Sequence, residues 1–246
     1  MNFLAQIFNT ILYQPLFNAL IFFYNYLPGH DFGLAVIFLT LIIKIILFPS
    51  SMAAIKSQLA LARLQPKIKQ IQEKYKGDRV KQSQAMMEIY QKEKINPFSG
   101  CLPLLLQLPI LIALYQVFLK GFSGEILQQN LYSFVSNPGV VVPTFLGVLN
   151  LAQPNIYLAI LAGVLQYFQI KLSTKQQGRS KASKGSLGNI QNQMLYLFPV
   201  LAVFIIWKLG AVVGLYWVTT TFFAIGEQVF VAKKYHQKHE RAQTNP

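Results

Sequence analysis

Leu41-Ile42-Ile43-Lys44-Ile45-Ile46-Leu47 sets a single ammonium inside an otherwise unbroken apolar run. The run belongs to residues 33–55, long enough for a helix of ~20 residues to cross a ~30 Å hydrocarbon core. Lys44 then lies about eleven residues from one end, which at ~1.5 Å per residue is ~16 Å deep. That is too deep for its stem to carry the charge easily to either edge. A lysine at this depth costs roughly 2.5–3.5 kcal/mol on insertion scales, so it faces protein or a wet cavity rather than lipid. Thr40 lies one turn away on the same helix face, and Phe48 one turn the other way.

The rest of the chain extends this reading. Of 246 residues, 53% are hydrophobic and 12% charged, about half the charge usual in a soluble domain. The apolar residues fall in blocks at 33–55, 102–119, 156–172, 194–207 and 212–232. The expected fold is an all-α integral membrane protein with five transmembrane helices. The block at 194–207 is short for a span, so local thinning or tilt is expected there. Residues 1–28 are also apolar, but Pro15 interrupts them, and Asn2, Gln6, Asn9, Thr10, Gln14, Asn18 and Asn25 recur near helical spacing. They read as an N-terminal interfacial amphipathic helix, with a sixth span as the alternative. No Lys or Arg precedes Lys44, so the basic head of a cleavable signal peptide is not seen.

Charge gives the orientation. The net charge is +14, a balance that fits either nucleic acid or an anionic membrane surface. Its distribution favours the membrane. Of the 22 Lys and Arg, residues 56–94 hold ten, 171–184 five and 233–241 four. With five spans, all three segments lie on one side, which gives N-terminus out and C-terminus in. Lys120 and Lys208 are left at helix ends on the opposite side. The loops are then 120–155 outside, 173–193 inside, and a basic tail at 233–246.

Residues 56–96 read as a basic, cytoplasmic, antiparallel helical hairpin. Gln65-Pro66 is expected to break the helix that leaves the membrane. Ile68, Ile71 and Tyr75 then share one face of a short helix, Gly77-Asp78 is a turn signal, and a second helix starts at Arg79. Lys67, Lys69, Lys74, Lys76, Arg79 and Lys81 are its candidate contact residues, for an incoming chain, anionic lipid or ribosomal RNA. A solvated, positive-inside face is the plainer explanation. Pro97 stands just ahead of the second span, where a helix commonly restarts. Residues 173–189, rich in Ser, Lys, Gln and Gly, read as a flexible loop.

Catalytic chemistry is not evident. There is no P-loop, dinucleotide fingerprint or HExxH motif. The single cysteine, Cys101, excludes an intrachain disulfide. His30 stands alone, and His236 and His239 lie on the basic tail, so no metal or cofactor is expected. Gln107, Gln166, Gln169 and Thr219 to Thr221 put further polar groups into the apolar blocks, singly as interhelical hydrogen bonds and together as a polar interior. Tyr216 and Trp217 read as interface anchors. The functional reading of Lys44 is a charge in a wet groove that draws an acidic or polar substrate. The alternative is an internal ion pair, for which Glu227 is the only acidic residue in another span.

The runs Gln65-Pro66-Lys67-Ile68, Gln72-Glu73-Lys74-Tyr75, Asn96-Pro97-Phe98, Gly100-Cys101-Leu102-Pro103, Gln107-Leu108-Pro109-Ile110 and Ala113-Leu114-Tyr115 resemble the YidC-type membrane protein insertases. The similarity is dense over 31–120. It continues at Pro154, Gly163, Gln166, Pro199 and Leu215-Tyr216-Trp217. The resemblance implies the short form, without a large extracytoplasmic domain, and a bundle with a hydrophilic groove open to cytoplasm and lipid. Lys44 holds the position where the family usually carries arginine, and keeps the charge without the bidentate fork. Gly210 stands where relatives have proline before Leu-Tyr-Trp, and Thr221 and Glu227-Gln228 where Asn and Gln-Gln are common.

The implied substrate groove is Lys44, Thr40, Gln107, Gln166, Trp217, Thr221 and Glu227. The implied work is to pass hydrophobic segments of nascent or small membrane proteins into the bilayer without nucleotide hydrolysis. The implied partners are those clients and membrane lipids, with the ribosome and the general secretion channel as further candidates, and no DNA. The implied location is the bacterial plasma membrane, ahead of the thylakoid. The rival reading is a secondary transporter or channel with Lys44 in the substrate pathway, although no internal repeat is visible. A membrane scaffold or assembly chaperone is a third class.

Overall fold

A computed structural model describes residues 3–93, 95–96, 102–176 and 186–244. Pro97-Phe98, Gly100-Cys101 and most of the 173–189 loop lie outside the described residues, as do the side chains of His236 and His239.

The described chain is mostly helical. Helix α1 (Phe3–Phe8) passes through a π-turn at Asn9–Tyr13 into α2 (Gln14–Tyr26). Pro15 sits in the first turn of α2. Its ring would clash with the carbonyl one turn back in a regular helix, and the wider π-turn just before it relieves that crowding. Helix α3 runs from Phe32 to Lys74, α4 from Arg79 to Lys92, α5 from Leu102 to Lys120 and α6 from Gly124 to Asn130. A small antiparallel ribbon follows, β1 (Thr144–Phe145) on β2 (Leu149–Asn150). Then come α7 (Ile156–Gln176), α8 (Ser186–Leu209) and α9 (Ala211–Thr244).

The apolar blocks all fall inside helices, so the all-α membrane class holds, with the ribbon as its one strand pair among the described residues. Phe3–Tyr26, Phe32–Lys74 and Ile156–Gln176 are long and apolar enough to cross a membrane. The apolar stretches Leu105–Lys120 and Leu195–Leu209 are shorter, below the ~20 residues of a full crossing. The sequence expectation at Pro66 fails. Both Pro49 and Pro66 lie inside α3, which continues to Lys74. Each proline removes one backbone hydrogen bond and bends the helix, but good helix formers on both sides (Leu59-Ala60-Leu61-Ala62-Arg63-Leu64 and Lys67-Ile68-Lys69-Gln70) carry it through.

The chain divides into two compact units. The first comprises Met1–Ile46, Leu104–Tyr167 and Tyr196–Phe223. Its core is aromatic: Phe17 stacks on Phe122 at 5.8 Å, and Phe32 meets Phe122 edge-on at 5.2 Å. The amides of α2 face inward and bind the segment after α6. Asn18 donates to the Asn130 carbonyl at 2.8 Å and accepts from the Tyr132 amide at 2.7 Å, and Asn25 donates to the Ser136 carbonyl at 2.6 Å. Of the polar stripe read from the sequence, Asn18 and Asn25 are therefore engaged by protein backbone, while Gln6 and Thr10 are exposed. Helix α8 ends at Gly210, whose φ of +104° suits only a residue without Cβ. The first amides of α9, at Ala211 and Val212, donate to the carbonyls of Gln153 and Leu151 at 2.9 and 3.1 Å, which caps that helix.

The second unit comprises Leu47–Pro103, Phe168–Leu195 and Ala224–Pro246. Gly77, at φ +96°, turns the chain between α3 and α4, and the Asp78 carboxylate caps α4 by accepting from the Lys81 amide at 3.0 Å. Lys67 and Glu93 form an ion pair at 2.7 Å, and the Gln82 side chain donates to the Tyr75 carbonyl at 3.0 Å. Arg63 stacks over the Tyr235 ring at 4.8 Å.

Candidate functional site

Lys44 is buried on α3 with 9% of its surface exposed. Its ammonium donates to Gln107 Oε1 on α5 at 3.3 Å. The other end of the same amide donates to the Tyr216 hydroxyl on α9. Both ends of Gln107 are thus engaged, and this fixes which way the amide points: carbonyl to the ammonium, NH2 to the phenol. Tyr216 is buried. The sequence suggested an interface anchor there, and the structure makes it the third member of an interhelical chain.

A second polar contact joins α9 to α7. Trp217 donates its indole N–H to Gln166 Oε1 at 3.0 Å and packs against Ala159, Ala162, Ala202 and Ile206. Trp217 is therefore a bundle residue with a satisfied polar tip. Thr40 is buried one turn before Lys44, and its hydroxyl donates to the Val36 carbonyl at 2.6 Å. That bond spends its donor on its own helix and leaves oxygen lone pairs as its remaining polar capacity. Thr221 is buried on α9. So six of the seven predicted groove residues fall in the first unit, and hydrogen bonds join Lys44 to Gln107 and Gln166 to Trp217. Glu227 lies in the second unit, buried beside Gln228 on α9.

The predicted hairpin contacts also lie in the second unit. Lys67, Lys69, Lys74, Lys76, Arg79 and Lys81 are all exposed. Lys67 pairs with Glu93, Lys81 with Asp78 at 3.2 Å, and Lys74 lies 5.4 Å from the Tyr75 ring. The Lys81 amide, then its ammonium, hold the Asp78 carboxyl below the usual carboxylate range.

This arrangement binds and positions charge. Among the described residues no cluster of three His, Cys, Asp or Glu could hold a metal. The Gln107 carbonyl accepts from the ammonium without cancelling its charge, and the low dielectric around it strengthens the field felt by a nearby polar group.

A multi-pass helical membrane protein with a buried, amide-held cation is the class that fold and site define. Residues 22–239 match the family described as 60Kd inner membrane protein. A Clostridium tetani protein named membrane protein insertase YidC is 38% identical over 86% of each chain. Two proteins of the same name, from Geobacter sulfurreducens and Geobacter metallireducens, are 33% and 32% identical over 90% and 91% of this chain. This chain covers 37% of the length of each of those two relatives. The chain belongs to the YidC family of multi-pass cell-membrane proteins, a family named for insertion rather than for a chemical reaction.

Proposed function

We propose that the chain is a membrane protein insertase that receives a hydrophobic segment of a nascent or small membrane protein in a polar groove and releases it sideways into the bilayer. The observation that carries this reading is the buried Lys44 ammonium held on Gln107 in a chain of this family. A polar or acidic stretch of the client is drawn towards Lys44, while its apolar helix leaves along the lipid side. Burying a helix of ~20 apolar residues in hydrocarbon supplies the driving force, so no nucleotide is required. Gln107, Gln166, Trp217, Thr40 and Thr221 give the groove its remaining polarity.

The topology belongs to the same proposal: five spans, N-terminus out and C-terminus in, the N-terminal helix at the interface, and the basic α3–α4 segment in the cytoplasm of a bacterial cell. There its exposed lysines meet the incoming chain, anionic lipid or the ribosome, and the general secretion channel is a further partner.

The test is insertion of a small single-span substrate into vesicles that hold the purified protein. Lys44→Arg keeps activity because the charge remains. Lys44→Ala and Lys44→Glu lose most of it. Full activity in Lys44→Glu would sink the role given to this residue.

A further inference from the structure

We propose that residues 131–153 form a lipid-docking surface, with Leu146 and Val148 seated among lipid headgroups and upper acyl chains beside the ends of α5 and α7. The placement rests on the reading of α5 and α7 as spans.

Residues 126–170 contain no Asp, Glu, Lys or Arg, although 131–153 is a connection between helices and not itself helical. Val148 is 91% exposed and Leu146 63%, and Phe134, Val140 and Val142 are exposed as well. An exposed apolar patch of this kind marks a contact surface. A surface built for a soluble partner carries a polar rim, whereas lipid favours a stretch without formal charge.

The backbone gives the second, independent observation. Within hydrocarbon every peptide donor needs a partner in the protein itself. Around the ribbon five of those donors are spent internally. The Thr144 amide donates to the Val142 carbonyl at 2.8 Å, Val148 to Phe145 at 3.1 Å and Leu151 to Pro143 at 2.8 Å. Val142 donates to the Tyr24 hydroxyl at 3.1 Å, and Leu146 to Asp31 Oδ2 at 2.5 Å.

The tip is also held rigidly. Leu146 has φ +52°, a left-handed conformation that is unfavourable for a bulky residue and persists only where the surroundings impose it. Asp31 imposes it: one carboxylate oxygen takes the Leu146 amide, and the other caps α3 through Leu34 at 2.8 Å. Gly33 leaves the space that Phe145 fills. The strain is spent on presenting a leucine outward, which a ribbon covered by nothing would not require.

The test uses the whole chain in a Cys101→Ser background, with Val148→Cys or Leu146→Cys carrying a small polarity-sensitive fluorophore. The protein alone is reconstituted in phosphatidylcholine–phosphatidylglycerol vesicles. Quenching by lipids with a nitroxide near the headgroup is compared with quenching by aqueous iodide. The lipid nitroxide is expected to quench at least about twofold more than iodide at both positions. Gln84→Cys on exposed α4 shows the reverse and calibrates the iodide signal. Position 148 does not share the strained backbone of 146, so it reports even where Leu146→Cys disturbs the turn. Iodide quenching that equals or exceeds lipid quenching at Val148→Cys overturns the proposal, as a docking face for a water-soluble protein would require.

Discussion

Gln107 cannot turn its amide over without losing Lys44, because the NH2 would then face an ammonium that has nothing to accept with. The Tyr216 hydroxyl accepts from that NH2 and holds the far end of the amide in place. Tyr216 thus positions Lys44 through Gln107. In Tyr216→Phe the amide loses that constraint, and insertion should fall about fivefold, the equivalent of one neutral hydrogen bond of about 1 kcal/mol. In a Lys44→Ala background the same change should add no further loss, because the residue it positions is gone. Multiplying losses would make Tyr216 merely structural. Asp78 offers a pH-dependent case. Its carboxyl titrates below the usual range because the Lys81 amide and ammonium favour the charged form. The cap it supplies is therefore present above the unfolded value of ~3.9 and is lost as pH falls through the lower folded value. Amide exchange at the start of α4 should accelerate in that acid window. In Asp78→Asn the exchange rate should lack this acid step.

At the scale of elements, close approaches and turns decide the outcome. Gly163 on α7 faces Val203 on α8, and a Cβ there would also lie 3.2 Å from the Pro199 carbonyl. Small residues allow such backbone approach between helices in lipid. Gly163→Val should cost roughly 1–3 kcal/mol by overpacking, read as a lower unfolding temperature in detergent. Gly210→Ala should cost at least ~1–2 kcal/mol at a positive φ, by the same measurement. The helices themselves were legible in the sequence, since each apolar block is long and lies between polar or glycine-rich joints. Pro66 was misread because proline's local penalty is smaller than the helix-forming tendency of its neighbours. The ribbon was not legible: its strands have two residues each, and its turn is Leu146-Gly147, where turn chemistry would favour Asn-Gly. The pairing of Gln107 with Tyr216 spans 109 positions and is set by helix packing, which no local pattern encodes. Trp217 and Gln166 were both singled out for the groove, but their pairing followed only from the fold. A proline at 210 would fix φ near −65°, so the turn at +104° belongs to glycine.

Across the whole molecule, charge is sorted. Nineteen of the 22 cationic side chains lie in three segments, Lys44 stands inside an apolar helix, and 126–170 holds none. The last of these also bears on how this protein reaches its own place. As spans, α5 and α7 bring the connection between them across the bilayer during synthesis. Moving one elementary charge across costs or gains ~2.3 kcal/mol per 100 mV. A connection whose formal charges are only Lys120 and Glu125, of opposite sign, leaves little for the membrane potential to act on. Transfer of the α5–α7 pair should therefore proceed at nearly the same rate after an ionophore collapses the potential. Val148→Lys should make that transfer sensitive to it. The hairpin of an insertase is then built as an undemanding client, able to cross before any finished copy of the machine is at hand.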